Sequence, residues 1–249
     1  MLREERLRYI MDSLARQQRV SSKALADALG VSDDTIRRDL QELADQGRLD
    51  KVHGGAVPKP VTPMGFEERL DYAKPQKVAL ARKVISLLEP DQLIVMDDGT
   101  TNLAIAQELP PDFSATVYTN SLPVAMALVT HPKVELVMLG GRVRKTERAV
   151  LDQEAWRSLG AIRADVCILG VCSVHPQVGL TTHVREEIFL KQRMVEVSDR
   201  IIVPATEEKL DTAHHYVIGG PKSFHALVVD DSVALSHRKP YQDLGIEVL

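Results

Sequence analysis

Apolar residues recur at helical spacing at Leu2, Leu7, Ile10, Met11 and Leu14, which predicts a helix from about Arg3 to Gln17. Val20-Ser21-Ser22 offers a cap to a second helix, whose stripe is Ala24, Leu25, Ala28 and Leu29 and whose stop is Gly30. Ser32 can cap a third helix. Asp33 and Asp34 then fall in its first turn, where the helix dipole favours negative charge. Ile36, Leu40 and Leu43 supply its buried face and Gly47 ends it. The period then changes. Arg48-Leu49-Asp50-Lys51-Val52 alternates like a short strand, His53-Gly54-Gly55 turns, and Ala56-Val57 is the candidate return strand. Pro58, Pro60 and Pro63 punctuate a linker.

Beyond the linker, apolar strands alternate with helices. Val78 to Leu88 reads as helical. Leu93 to Met96 is a buried strand that runs into Asp97-Asp98-Gly99-Thr100-Thr101 and a helix ending at Leu109. Ala115 to Tyr118 is a strand ending in Thr119-Asn120-Ser121, followed by a helix to Leu128. Val134 to Leu139 ends in Gly140-Gly141, and Asp165 to Leu169 ends in Gly170. Ile188 to Val197 is a helix, and Arg200 to Val203 and Ala226 to Val229 are strands. Strand, polar turn and helix in repetition predict an α/β domain with a mainly parallel sheet, with ligands beyond the carboxyl ends of its strands. The expected division is therefore a small α+β domain over residues 1–58, a linker over 59–74 and an α/β domain over 75–249.

Helix, short turn, helix and ribbon make a winged helix-turn-helix plan. At about 100° per residue, Ile36, Leu40 and Leu43 cluster within about 60° on the third helix. Asp34, Arg38, Gln41 and Asp45 point the other way, and Thr35 and Arg37 flank the core on opposite sides. Arginine, glutamine and a short carboxylate are the groups that read guanine, adenine and cytosine edges in a major groove. Arg37 and Thr35 are better placed for phosphates. Ser21, Ser32, Lys51 and His53, at the caps and on the ribbon, complete the candidate contacts to double-stranded DNA.

Charge alone does not reveal this face. The formal net charge is −4. The first 60 residues carry 11 Lys+Arg against 10 Asp+Glu, and the remainder 20 against 25, so any contact with a polyanion belongs near the N-terminus and depends on local placement. Hydrophobic residues make up 44%, as in a globular chain. No apolar run approaches the ~20 residues that span a bilayer. The opening MLREERLRYI lacks the apolar core of a secretory signal, so a cytoplasmic location and no membrane partner are expected. Cys167 and Cys172 lie in a mostly apolar run without partner ligands and read as buried free thiols; no metal and no cofactor is expected.

In the larger domain, Asp97 to Thr101 joins a strand to a helix. Backbone N–H groups at a helix start, with two hydroxyls, suit an anion, although a capped turn would use the same residues. Asn120 and Gly141 occupy equivalent strand ends. His175, His214 and His215 lack ligand spacing, Arg142 to Arg148 is a basic loop, and Trp156 reads as a packing residue.

Val20 to Val57, with its cap, the TIRRDL helix and the HGGA wing in order, resembles the DNA-binding domain of DeoR-family bacterial transcription regulators. From about Phe66 to Val229 the chain is similar to that family's effector-sensing domain, related in fold to ribose-5-phosphate isomerase and glucosamine-6-phosphate deaminase. The matching pieces are Phe66 with Arg69, the DxGTT loop, YTNSL, LGGR, GLTTHVREE and the Glu187–Lys191 pair. The resemblance implies operator DNA, a phosphorylated sugar or related metabolite as effector, and a homodimer or homotetramer. By position, Gly99, Thr100 and Thr101 would cradle a phosphate, with Asp97, Asn120, Gly141, Gly179, Lys191 and Lys209 around the rest. Asp98 stands where serine is common, and a carboxylate there opposes a phosphate unless it points away. Ala205 to Lys209 replaces an Asp-x-Ser-Lys segment and shifts the lysine by one position.

The leading expectation is a non-enzymatic repressor of carbohydrate genes released by that metabolite. A ligand-independent DNA-binding regulator and an isomerase- or deaminase-like enzyme are the alternatives. The enzyme lacks support in the Gly170 to Gly179 loop, which has none of the acids such chemistry uses.

Overall fold

The computed structural model describes residues 3–17, 20–45, 49–52, 54–58 and 65–249. The chain divides into two compact units, Met1–Pro63 and Met64–Leu249.

In the first unit α1 (Arg3–Gln17) leads to β1 (Val20–Ser21), α2 (Ser22–Leu29), α3 (Asp33–Asp45), β2 (Leu49–Val52) and β3 (Gly55–Pro58). Gly30 closes α2 at φ +63°, in the left-handed conformation that a helix stop requires. Ile10, Leu14, Leu25, Ile36, Leu40, Leu43, Leu49 and Ala56 form one buried core. The short strand β1 has no periodicity to betray it. It exists because β3 pairs antiparallel with β2 on one side and β1 on the other, Ser21 opposite Gly55. Asp39 is buried, which its helical angle explains: it lies about 60° from Ile36 and meets the Arg6 guanidinium of α1 in a two-pronged ion pair.

The second unit begins earlier than the proline spacing suggests. The expected linker over 59–74 holds α4 (Phe66–Asp71), whose Phe66 is buried in the core, and the start of α5 (Lys74–Ile85). One buried aromatic, Phe66, brings this segment into the core of the second unit. The chain continues through β4 (Gln92–Met96), α6 (Thr100–Glu108), β5 (Ala115–Thr119), α7 (Leu122–Leu128), β6 (Val134–Met138), β7 (Val143–Arg144), β8 (Ala149–Val150), α8 (Gln153–Leu159) and β9 (Ala164–Ile168). Then come β10 (Ser173–His175), β11 (Gly179–Thr182), α9 (Glu187–Glu196), β12 (Ser198–Pro204), β13 (Tyr216–Gly219), β14 (Ala226–Val228), α10 (Leu235–Gln242) and β15 (Glu247–Val248).

Seven parallel strands form the main sheet in the order β15-β14-β12-β9-β4-β5-β6. Successive residues serve opposite faces: Val95, Cys167, Ile201 and Leu227 pack on one side, Ile94, Val166, Ile202 and Ala226 on the other. Burial on both faces is why these strands read as unbroken apolar runs. Strand order grows outward from β4 to β6, then returns to β9 and grows the opposite way. A crevice must open where that reversal occurs, beyond the ends of β4 and β9.

Candidate functional site

The first unit presents a row of polar side chains on α3. Asp34, Arg38, Gln41 and Asp45 are all exposed, opposite Ile36, Leu40 and Leu43. Arg38 pairs with Asp34 at 3.6 Å with side chains 84% and 73% exposed, and Arg37 pairs with Asp33 at 2.8 Å. Such exposed i,i+4 pairs are weakly held, so either guanidinium can exchange its partner for a phosphate or a base edge. Gln41 donates to Asp45 at 2.8 Å and accepts from Lys51 of β2 at 2.9 Å, tying helix to wing. Ser32 and Thr35 are occupied locally: Thr35 N donates to Ser32 Oγ, and the hydroxyls lie 2.9 Å apart. Ser21 accepts from Ala24 N as the cap of α2. His53 lies outside the described residues.

In the second unit the crevice between β4 and β9 collects residues far apart in sequence. Asp97 is fully buried; its Oδ2 accepts from Gly170 N at 3.0 Å and from Lys191 Nζ of α9. Lys191 Nζ also donates to Asp98 Oδ1 at 3.3 Å and Gly170 O at 3.0 Å, and lies 3.7 Å from Glu187 Oε2. Asp98 therefore meets Lys191, which answers its charge. Three carboxylates share this one ammonium. Burial pushes Asp97 and Glu187 above the ordinary carboxylate range. It opposes the charge on Asp98 too, but Lys191 and the hydrogen bonds with Asp97 and Lys191 outweigh it and hold Asp98 low. On Lys191 burial is likewise overcome, by Asp97, Asp98 and Glu187, so its ammonium is kept. Asn102 of α6 staples the two strand ends, donating to Asp97 O and Ile168 O at 2.9 and 3.1 Å. Its side chain does this only because α6 starts at once after Gly99, whose φ of +123° and ψ of 157° only glycine adopts easily. Thr100 and Thr101 open that helix.

Three cations stand around this crevice: Lys209, already a candidate by position, Arg69, and Lys77, which the sequence did not single out. Lys77 of α5 is buried and donates to Arg69 O of α4; Lys209 donates to Val171 O at 3.0 Å. Burial and the neighbouring charges of Lys209 and Arg69 bring Lys77 down to about 8, with Glu208 working the other way. Burial first, then Arg69 and Lys191, lowers Lys209 against the raising effect of Cys172 and Glu208. Arg69 Nε is buried with no hydrogen-bond partner. Lys77 and Lys209 are lowered first by burial and further by neighbouring cations, so an anion arriving among them would restore their charge. The signal in the sequence was Arg69 beside Phe66; Lys77 gave none, because it occupies a helix of mixed polarity.

Other candidates have local reasons. Gly141, at φ +133°, makes room for the Asp152 carboxylate, which caps α8 and accepts from Arg142 N. Gly179, at φ +95°, lies against the Gly219–Gly220 backbone. Asn120 is fully buried, donates to Val150 O at 3.3 Å and leaves its Oδ1 without a partner. A cleft of about 280 Å³ is lined by Arg142, Val143, Arg144, Leu151, Asp152 and Glu186. Cys167 is buried as expected, whereas Cys172 is half-buried, since it lies past the end of β9.

Residues 6–59 match the DeoR-like helix-turn-helix domain, and residues 73–231 the DeoR C-terminal sensor domain. The HTH-type transcriptional regulator GlpR of Haloferax volcanii is 30% identical over 253 residues, covering 100% of this chain and 98% of its own. A putative aga operon transcriptional repressor of Escherichia coli O157:H7 is 29% identical over 98% of this chain and 93% of its own. The transcriptional repressor GlcR of Bacillus subtilis is 28% identical over 92% and 89%. Among solved structures, a probable sor operon regulator from Shigella flexneri gives a TM-score of 0.47 at 13% identity, over 69% of this chain and 89% of that one. Ribose 5-phosphate isomerase from Methanocaldococcus jannaschii gives 0.41 at 14%, over 55% and 54%.

Proposed function

The chain belongs to the DeoR family of transcriptional regulators, and from that premise we propose that α3 reads an operator while the β4–β9 crevice senses a phosphorylated sugar. The observation that supports the first half is the outward row Asp34, Arg38 and Gln41 on a helix whose other side is core. Arg38 and Gln41 address base edges, Asp34 accepts from a cytosine amine, and Arg37, Thr35 and Lys51 hold phosphates. Ser21 and Ser32 fix the helix starts that aim them. A second copy of the chain supplies the other half-site of a palindrome.

With a duplex selected from a random pool by the purified protein, Arg38→Ala should cost about 1–3 kcal/mol and relax preference at one position. Arg37→Ala should weaken all duplexes alike and reduce the salt slope by about 1. Gel-shift titrations at several salt concentrations check both; unchanged specific binding by Arg38→Ala removes it from base readout.

The second half rests on Thr100 and Thr101 at the start of α6, with Arg69, Lys77 and Lys209 supplying positive charge. Asp97 and Lys191 hold the loop in shape, and Asn120, Gly141 and Gly179 shape its surroundings. We read the unit as a sensor that prefers one of the protein's states rather than as a catalyst, because differential binding is all that release from DNA needs. Thr100→Ala with Thr101→Ala should abolish the thermal stabilisation given by a sugar-phosphate library and leave operator binding intact. A double variant that responds like the parent would remove the loop from the phosphate site.

A further inference from the structure

Trp156 is the chain's single tryptophan, and it is not buried. It stands 39% exposed on α8, and Phe189 stands 70% exposed on α9. The two line one groove of about 380 Å³ together with Leu151, Gln153 and Leu190. The Arg193 guanidinium lies over the Trp156 ring, 4.9 Å from its centroid. Gln192 Nε2 of α9 donates to Val217 O of β13 at 3.4 Å, and Val217 is exposed as well. An apolar surface therefore runs from α8 over α9 to β13. Tryptophan and arginine are the residue types that most often carry the binding energy of a protein interface.

The two sides of α9 differ. Glu187, Leu190, Lys191 and Met194 are buried, so the helix is held from behind by the carboxylate cluster and the core. At about 100° per residue, Phe189 lies at the centre of the outward face. Glu186 and Arg193 lie along one edge of it, about 60° and 40° from Phe189, and Arg185 and Glu196 along the other, about 40° and 20° away. Within the chain Arg193 meets Glu196 at 2.9 Å and Glu186 meets Arg144 at 2.6 Å, partly exposed pairs that can exchange partners. This pattern is its own complement. A two-fold axis at the level of residues 189–190 reverses the helix and keeps each edge on its own side. Glu186 then falls opposite Arg193 of the second copy and Arg185 opposite its Glu196, with the two Phe189 side chains between them. A two-fold interface uses the same patch twice and so needs such self-complementarity.

We propose that the outward face of α9, with Trp156 of α8 beside it, is the surface through which two copies of this chain associate about a two-fold axis, α9 packed antiparallel on α9. The inference rests on the reading that a second copy supplies the other operator half-site, and it says where the copies meet. Among the described residues of the first unit, Tyr9 is the only large apolar side chain exposed, so the apolar area that an interface needs lies in the second unit. Leu122, Met126 and Val129 of α7 are exposed too, but α7 carries no charged residue to set a partner's register. The charge complementarity of α9 with itself singles out the α9 face and names a second copy as its occupant.

Full-length protein and its variants are followed by sedimentation velocity over a micromolar dilution series, free and with the selected duplex. Phe189→Asp should raise the dissociation constant between copies about 30-fold or more, the threshold of an interface hot spot, and keep the parent's melting temperature. Arg185→Glu alone sets glutamate against Glu196 of the second copy, and Glu196→Arg alone sets arginine against its Arg185. Each should weaken association by about tenfold. The two together in one chain exchange the charges and should recover most of the loss, which damage to the fold would not do. If Phe189→Asp melts early, the charge exchange decides alone. Single variants that weaken association without recovery in the double variant overturn the two-fold α9 arrangement. Association kept in Phe189→Asp but lost in Met126→Ser moves the contact to α7, which overturns the proposal and leaves the two-copy reading standing. A parent that stays monomeric both free and on the duplex overturns the two together.

Discussion

Replacing Lys191 by methionine is expected to destabilise the second unit by about 3–5 kcal/mol. The substitution leaves Asp97, Asp98 and Glu187 facing one another with no cation among side chains that are at most 7% exposed. The lost bonds matter less than the carboxylates left behind: removing one partner of a buried pair strands the other's charge in a medium that cannot solvate it. For a unit of this size the melting temperature should fall by roughly 6–20 °C. The deficit should also depend on pH. Burial already raises Asp97 and Glu187, loss of Lys191 raises both further, and it removes the charge that holds Asp98 low. A group with a raised folded-state pKa binds more protons when folded, so stability falls as pH rises through that window. The variant should therefore lag the parent most at neutral pH and recover as pH falls towards the ordinary carboxylate range. Asp97→Asn added to Lys191→Met should restore part of the loss, a coupling that a double-mutant cycle reads directly. Denaturation curves within about 0.5 kcal/mol of the parent would show that the cluster is not held by Lys191.

Gly55→Ala should unseat the small sheet of the first unit. A Cβ at Gly55 would lie 1.9 Å from Val20 O and 2.9 Å from Val20 C, both backbone atoms that no rotamer change can move aside. Strand β1 must therefore leave β3, and with it go the Ser21–Gly55 pairing and the Ser22 N to Gly54 O hydrogen bond of 2.9 Å. Overpacking of this kind costs about 1–3 kcal/mol, occasionally more, and here the obstruction is rigid. Val20 and Leu25 belong to the same core as Ile36 and Leu40, so the loss reaches the helix that presents Arg38. Hydrogen exchange over residues 20–29 should quicken and duplex affinity should fall, while exchange in the main sheet of the second unit stays as in the parent. Unchanged exchange at 20–29 would mean that β1 accommodates the methyl group.

Local pattern carried much of this protein. The spacing of Ile36, Leu40 and Leu43 was enough to orient Arg38 and Gln41, because a helix fixes the angle between residues three and four apart whatever else the chain does. Asp39 was not placed this way: its burial against the Arg6 guanidinium came only with the structure. Parallel strands were legible because burial on both faces leaves uninterrupted apolar runs. The two-residue strand β1, the ribbon of β7 and β8 and the three-stranded sheet of β10, β11 and β13 were not, since elements so short have no period to read and exist only through their partners.

The sequence alone determined α3 with its outward Arg38 and Gln41, the ribbon after it and the strand-turn-helix repeat, since each is set by interactions within a few residues. Only the tertiary structure decided that Asp97 meets Gly170, 73 residues on, and Lys191, 94 residues on. It likewise turned Asp98 onto Lys191 and set Arg69, Lys77 and Lys209 against one another. These meetings depend on where the strand order reverses between β4 and β9, and no residue's own neighbours along the chain encode that reversal.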